Sequence, residues 1–226
     1  YLQKKLPENI TLITGSLRRI IEDDEIKIFN SLYVINENKL TFYDKKKLVP
    51  FGEFIPFRSF TDFLKLTPGS TDFSVGKQPN QLEVKLEGKK VFFEPSICYE
   101  AIFQTFSNNE NQFITNITND AWFGQTIGPK QHLAAQIFRA IEKSMPLVRS
   151  ANSGISVITD ENGKIIKKID LNKDGFLEVN LSLKKSQTFF ESFGNYSTLI
   201  LIVLVFFLFY LIDIFYQLKV KVKSRT

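Results

Sequence analysis

The sequence predicts an α/β layered sandwich with mixed sheets, followed by one C-terminal transmembrane helix. Three observations carry this expectation. Strand, helix and strand alternate through the middle of the chain, the arrangement from which layered α/β folds are built. Two strand-like runs, residues 29–35 and 39–43, are joined only by the turn Asn36-Glu37-Asn38, so part of the fold is antiparallel. Near the end, residues 199–212 form an uninterrupted apolar run, LILIVLVFFLFYLI.

Taken in order, residues 11–16 read as a short buried strand and Asp23-Asp24-Glu25 as a solvated turn before the hairpin. Residues 44–56 hold Pro50, Gly52 and Pro56, which forbid a regular helix or central strand. This loop is crowded with large apolar residues, so it must pack against something, as site-building loops do. Pro68-Gly69-Ser70 and residues 76–80 punctuate further loops. Residues 81–86 alternate as a strand, Glu87-Gly88-Lys89-Lys90 turns, and residues 91–97 form a central strand ending at Cys98. Residues 113–118 are another buried strand, running into the loop Asn119-Asp120-Ala121-Trp122-Phe123-Gly124. Gly128-Pro129 opens a helix whose body is residues 132–143, with Leu133, Gln136, Ile137, Ala140 and Ile141 on one face, and Pro146 ends it. Strands follow at 147–150, 155–159, 164–169 and 175–181, with Gly163 in the left-handed slot of the 160–164 turn. Residues 189–195 read as a linker.

The formal net charge of +5 is a property of the tail. Lys219, Lys221, Lys223 and Arg225 follow the apolar run and Asp213 alone opposes them, which leaves residues 1–195 at only +2. A nearly neutral body does not support nucleic-acid binding. As a helix, residues 196–216 would span about 31 Å, the thickness of a bilayer core. The alternative is a buried core helix, but no other segment is long or apolar enough to wrap it. The four basic residues place residues 217–226 in the cytoplasm and residues 1–195 in an exported compartment. No signal peptide or earlier span precedes Tyr1, so the chain is expected to be the C-terminal part of a longer protein.

Cys98 is the only cysteine. A lone cysteine is usually a small buried hydrophobe. In an exported protein, however, an unpaired thiol is flagged as intermolecular or reactive. A thiol nucleophile needs a base or cation and a donor set for an oxyanion. The single histidine, His132, lies one turn into a helix on the polar side of its apolar stripe, the place of a surface or packing histidine rather than the base of a dyad. One cysteine and one histidine exclude a Cys/His zinc cluster, and no phosphate loop or dinucleotide motif is present. Lysine and carboxylate chemistry remains. The apolar loop offers Lys45, Lys46, Lys47 and Glu53, among which composition does not choose, and a Lys-Lys-Lys run is ordinarily a solvated turn.

Four stretches together carry a resemblance: residues 43–56 (YDKKKLVPFGEFIP), 97–100 (ICYE), 119–124 (NDAWFG), and RAIE at 139–142 with RSANSGIS at 149–156. In this order they resemble the motifs of the apolipoprotein N-acyltransferases, the membrane-bound bacterial branch of the nitrilase superfamily. The resemblance runs from about Leu12 to the terminal span. It implies a nitrilase-like αββα sandwich, a CN hydrolase domain over residues 1–188 that is incomplete at its N-terminus and faces the periplasm from the inner membrane. It also implies that Lys45 is the catalytic lysine, eight residues before Glu53, and that Cys98 is the nucleophile. Tyr99 and Glu100 match the two residues required beside it, and the oxyanion would meet Lys45 and the N–H of Tyr99.

The implied reaction moves an acyl chain from a phospholipid, through a Cys98 thioester, to the α-amine of a diacylglyceryl apolipoprotein. The implied partners are therefore phospholipid, apolipoprotein and membrane lipid. No cofactor, metal or nucleic acid is expected, and the protein is expected to be monomeric. Apolar loops around Glu53 and Trp122 are the places for acyl chains, although Trp122 also suits a core aromatic, and Asn119 and Asp120 a turn cap. The family's general-base glutamate is expected before Tyr1; Glu8 stands in the wrong place for it. Two other readings stand beside this one: a membrane-tethered amidase, and an inactive remnant or half of a split enzyme.

Overall fold

The structure, a computed structural model, describes residues 3–7, 9–36, 39–56, 72–86, 88–104, 110–183 and 187–223, the last six by backbone alone. The readings of Glu8, Glu37, Asn38, Glu87, Pro68-Gly69-Ser70 and the basic side chains of the tail lie outside these residues. The chain forms two units, Tyr1–Ser186 and Gln187–Thr226.

In the first unit, β1 (Leu12–Glu22), β2 (Glu25–Ile35) and β3 (Leu40–Asp44) make an antiparallel sheet in that order. The β1–β2 hairpin is longer than the sequence suggests, because Asp23 and Asp24 both take positive φ (53° and 59°) in a two-residue turn. That geometry matches the twist of the flanking strands, and aspartate tolerates it. The second sheet has six strands in chain order: β4 (Leu82–Leu86), β5 (Lys89–Ile97), β6 (Asn111–Asn119), β7 (Leu147–Asn152), β8 (Ser156–Thr159) and β9 (Ile165–Ile169). Strands β5, β6 and β7 run parallel and the outer pairs antiparallel, so the sheet is mixed. Helix α1 (Gly128–Lys143) makes the β6–β7 crossover.

Alternation along β6 builds the layers. Phe113 packs with Phe93, Leu32 and Val34 between the two sheets, whereas its neighbour Ile114 packs with Leu133, Ala140 and Leu147 beneath α1. A strand covered on both faces carries apolar residues on both, here Phe113, Ile114 and Ile117, with Thr115 and Asn116 buried among them, which is why residues 113–118 read as buried. Phe93, Leu32, Ile114 and Leu147 are wholly buried, and each contributes about 1.5–3 kcal/mol of hydrophobic stabilisation. The sheets approach closely where Gly15 faces Ile117: a Cβ at Gly15 would sit 2.7 Å from the Ile117 Cδ1.

Three sequence expectations need correction. Residues 175–181 form no strand; among the described residues the backbone there has no ladder partner, and Lys167 Nζ donates to the Glu178 carbonyl at 2.8 Å. Helix α1 ends at Lys143 as expected, but what stops it is not Pro146: Ser144 turns left-handed (φ 48°) and caps it. Residues 189–195 are not a plain linker: Phe189–Phe193 form a short helix, α2, whose first turn is capped by the Thr188 hydroxyl accepting from Glu191 N–H at 2.9 Å. In the second unit, α3 (Tyr196–Lys223) includes the stretch Tyr196–Gln217, with mean hydropathy 2.8 and none of it buried. A core helix would be covered; this one is long and apolar enough to cross a bilayer.

Candidate active site

Strand β5 delivers Cys98 to a cavity of about 1180 Å³ in the first unit. The strand ends at Ile97, and a 3₁₀ turn, Cys98–Ile102, begins at once. Cys98 takes φ 48°, in the left-handed region. A non-glycine residue there is held at a cost of about 1–3 kcal/mol, and such strain concentrates at functional sites. The sharp strand-to-helix turn presents the half-buried thiol to the cavity wall, where a smooth continuation of the strand would not.

The apolar loop after β3 folds over the same cavity. Val49 N–H donates to Glu53 Oε2 at 2.8 Å, and the Val49 carbonyl accepts from Glu53 N–H at 2.8 Å, which closes the loop on itself. Lys45 is wholly buried, and its ammonium donates to both Glu53 oxygens, at 2.6 and 2.8 Å. Asn30 of β2 adds a bond from Nδ2 to Glu53 Oε1 at 3.2 Å. Glu53 is the one carboxylate among the described residues that line the cavity. Of the three lysines, then, the structure buries Lys45 in an ion pair. The side chains of Lys46 and Lys47 lie over the rings of Tyr43 and Phe103 instead.

Glu100 is a strut between the two sheets. Its Oε1 accepts from Tyr43 Oη at 2.8 Å, Lys46 N–H at 2.7 Å and Lys47 N–H at 3.2 Å. Its Oε2 accepts from Ile97 N–H at 2.8 Å. One carboxylate thus ties the segment that carries Lys45 to the end of the strand that carries Cys98. Burial pushes the Glu100 carboxyl above the usual carboxylate range, and the four donors oppose that rise. Tyr99 points along the wall, edge-on to Phe103 with ring centroids 5.0 Å apart. Asp44, next to Lys45, is clamped by Arg18, Ser31 and Gln78; burial would raise its pKa, but these partners outweigh it and hold the carboxyl below its ordinary range.

The third side of the cavity comes from β6 and the turn after it. Asn119 caps the turn by accepting from Ala121 N–H at 3.1 Å, and it also borders the cavity. Trp122 is no core aromatic: it is 65% exposed at the cavity wall. Asp120 does more than cap a turn. It is buried, with Oδ2 2.7 Å from Arg149 Nη2 and Oδ1 2.9 Å from His132 Nδ1. Burial raises its pKa, but His132, Arg149 and Thr118 outweigh that and the carboxyl stays below its ordinary range. The other ring nitrogen, His132 Nε2, lies 2.9 Å from the backbone carbonyl of Cys98.

His132 is therefore not a surface residue; it is buried, and both its ring nitrogens are engaged, one with Asp120 and the other with the Cys98 backbone carbonyl. Sequence reasoning missed Asn30, Asn116, Arg149 and the role of Asp120. A signal existed for one of them: Arg149 stands within the strand Leu147-Val148-Arg149, and a buried arginine requires a carboxylate.

The sequence matches the carbon-nitrogen hydrolase family over residues 7–189. It is 37% identical over 216 residues to apolipoprotein N-acyltransferase of Rickettsia prowazekii, covering 92% of this chain and 43% of that protein. It is 40% identical over 210 residues to the Rickettsia bellii protein of the same name, covering 90% and 42%. The chain thus spans about two fifths of the length of these relatives. Among solved structures, the fold is similar to a glutamine-dependent NAD+ synthetase from Acinetobacter baumannii (TM-score 0.52, 16% identity, covering 77% of this chain and 31% of that one). It is likewise similar to a carbon-nitrogen hydrolase from Helicobacter pylori (TM-score 0.51, 12% identity, covering 74% and 60%). At such identities these structures speak to the fold alone. The fold and the sequence match agree, and the chain belongs to the carbon-nitrogen hydrolase family.

Proposed function

We propose that this chain carries the acyl-transfer site of an apolipoprotein N-acyltransferase, with Cys98 as the nucleophile. The observation that carries the reading is a cysteine held at positive φ on the wall of a roughly 1180 Å³ cavity that Glu53, partner of the buried Lys45, also lines. Pockets for drug-sized ligands occupy about 300–1,000 Å³. A cavity above that range, with Ile13, Val49, Phe73, Ile102 and Ile117 on its walls, suits a long acyl chain better than a small amide.

In the proposed first step, the Cys98 thiolate attacks the ester carbonyl of a phospholipid. The oxyanion is stabilised by the Lys45 ammonium and the N–H of Tyr99, and the C–O bond breaks to leave a thioester. The departing lysophospholipid alkoxide takes up the proton that left the thiol. In the second step, the α-amine of a diacylglyceryl apolipoprotein attacks the thioester, the C–S bond breaks, and the thiol is regenerated. Glu53 already binds Lys45, Val49 and Asn30, so its role is to hold the lysine. The resemblance assigns the thiol proton to a further glutamate of the family. The apolar stretch of α3 would anchor the chain, with the basic residues that follow that stretch in the cytoplasm and the first unit in the periplasm.

The test uses membranes containing the protein, incubated with phospholipid labelled in its acyl chain. A hydroxylamine-sensitive adduct forms in the wild type and is absent in Cys98→Ala. Labelling that survives Cys98→Ala removes the nucleophile assignment.

A further inference from the structure

The buried histidine is unused by the mechanism above, yet it touches the nucleophile's own peptide group. We infer that His132 is a positioning residue that sets the oxyanion donor of the first half-reaction, an inference that rests on Cys98 acting as the nucleophile.

A carbonyl oxygen only accepts hydrogen bonds, so at 2.9 Å from it His132 Nε2 carries a hydrogen and donates. The Cys98 carbonyl belongs to the same planar peptide unit as the Tyr99 N–H. In a trans peptide these two groups point in opposite directions, and fixing one fixes the other. The imidazole therefore determines where the Tyr99 N–H is aimed. It also polarises that peptide, since a group whose acceptor end is engaged becomes a better donor at its other end.

The imidazole is itself immobilised. Nδ1 lies 2.9 Å from Asp120 Oδ1 and 3.3 Å from Arg149 Nη2, and Arg149 is bound in turn to Asp120, to the Ile155 carbonyl at 3.3 Å and to Asn116 Oδ1. The Phe123 ring packs against the imidazole with centroids 5.5 Å apart. The chain of contacts runs from β7 (Arg149), through the turn after β6 (Asp120), to α1 (His132) and the turn after β5 (Cys98). Each member is at least nine-tenths buried except Cys98 itself. Gly154 permits this packing, because a Cβ there would collide with the Asp120 carboxylate.

An oxyanion donor and a structural support respond differently to substitution. Alkylation of Cys98 by iodoacetamide forms no oxyanion, whereas acylation by phospholipid does. In membranes containing the protein, His132→Leu is expected to slow formation of the labelled acyl adduct about 100-fold, the loss typical of an oxyanion-hole donor. Alkylation of Cys98 should stay within about 3-fold of wild type, reporting an intact thiol and an intact turn. His132→Gln, which retains an N–H donor of similar reach, is expected to recover at least 10-fold of the lost acylation rate. Equal losses in acylation and alkylation would overturn the inference by showing that His132 merely supports the turn. Wild-type acylation in His132→Leu, or no recovery by glutamine, would also overturn it. Failure of the wild type to form a Cys98-dependent adduct would overturn the nucleophile reading instead.

Discussion

The ion pair between Lys45 and Glu53 permits a test that separates stability from chemistry. Replacing Glu53 by leucine leaves the wholly buried Lys45 ammonium without the two oxygens that hold it. Removing one partner of a buried pair costs about 3–5 kcal/mol, because the other charge stays uncompensated. Glu53 is 13% exposed at the cavity, and water reaching that side places the cost near the lower end. Lys45→Met leaves Glu53 with the Val49 N–H and Asn30 amide as donors, at a cost of about 1 kcal/mol. The double substitution leaves an apolar pair of similar volume. Its main penalty is the unsatisfied Val49 N–H, about 1–3 kcal/mol.

The double variant should therefore be more stable than Glu53→Leu alone, with a coupling energy of about 2 kcal/mol or more. Unfolding of all four proteins in detergent measures this, and the acyl-labelling assay is run on the same samples. The expected result is stability recovered in the double variant with no adduct in either variant that lacks Lys45. Additivity within about 0.5 kcal/mol would refute the claim that the pair is a coupled, desolvated unit. An adduct formed by Lys45→Met would refute the assignment of the oxyanion to this lysine.

Two further outcomes follow from the same geometry. Cys98→Gly should raise stability relative to Cys98→Ala by about 1 kcal/mol, since glycine accepts φ 48° without strain, while both variants lose labelling; equal stabilities would show that the turn is not strained. Asp44 and Asp120 have folded pKa values below the ordinary carboxylate value of about 3.9, so they contribute stability that is full above that value and lost as pH falls through the depressed ones. Glu100 is shifted upward, so its contribution has the opposite sign, present at low pH and lost as pH rises. Acid unfolding of Asp44→Asn should accordingly show a shallower loss of stability below pH about 4 than wild type, and an unchanged slope would contradict the assignment.

Local chemistry made much of this legible in the sequence. The strand before Cys98 was readable because Val91-Phe92-Phe93 and Ile97 of β5 are apolar, and the loop around Glu53 because Pro50, Gly52 and Pro56 exclude regular structure. The proposal that Cys98 is the nucleophile rests on an ordered set of short motifs. Long-range partnership was not readable. Nothing in the spacing of Asp120, His132 and Arg149 says that a strand end, a helix and the next strand converge on one buried carboxylate. His132 fell on the polar side of its helix by periodicity, and it is buried all the same, because that side faces a second polar group rather than water. Helical patterning distinguishes apolar from polar faces; it does not distinguish a polar face turned to solvent from one turned to a buried network.

The turn that carries Cys98 is thus braced from two directions by buried polar side chains. On one side Glu100 binds the N–H of Ile97 and the backbone of Lys46 and Lys47, which sets the spacing between the lysine segment and the strand end. On the other, His132 binds the carbonyl of Cys98 and is held by Asp120, which Arg149 binds in turn. Between these two bonds lie only the residues Ile97 and Cys98, the second in a conformation that relaxes if either brace is lost. Buried polar groups of this kind are costly unless every member is paired, and a half-satisfied network is worse than an apolar core. That cost explains the arrangement's economy of position: the buried polar groups sit where they fix a strained peptide, and apolar side chains such as Ile13, Val49 and Ile117 remain on the cavity wall in front of the thiol.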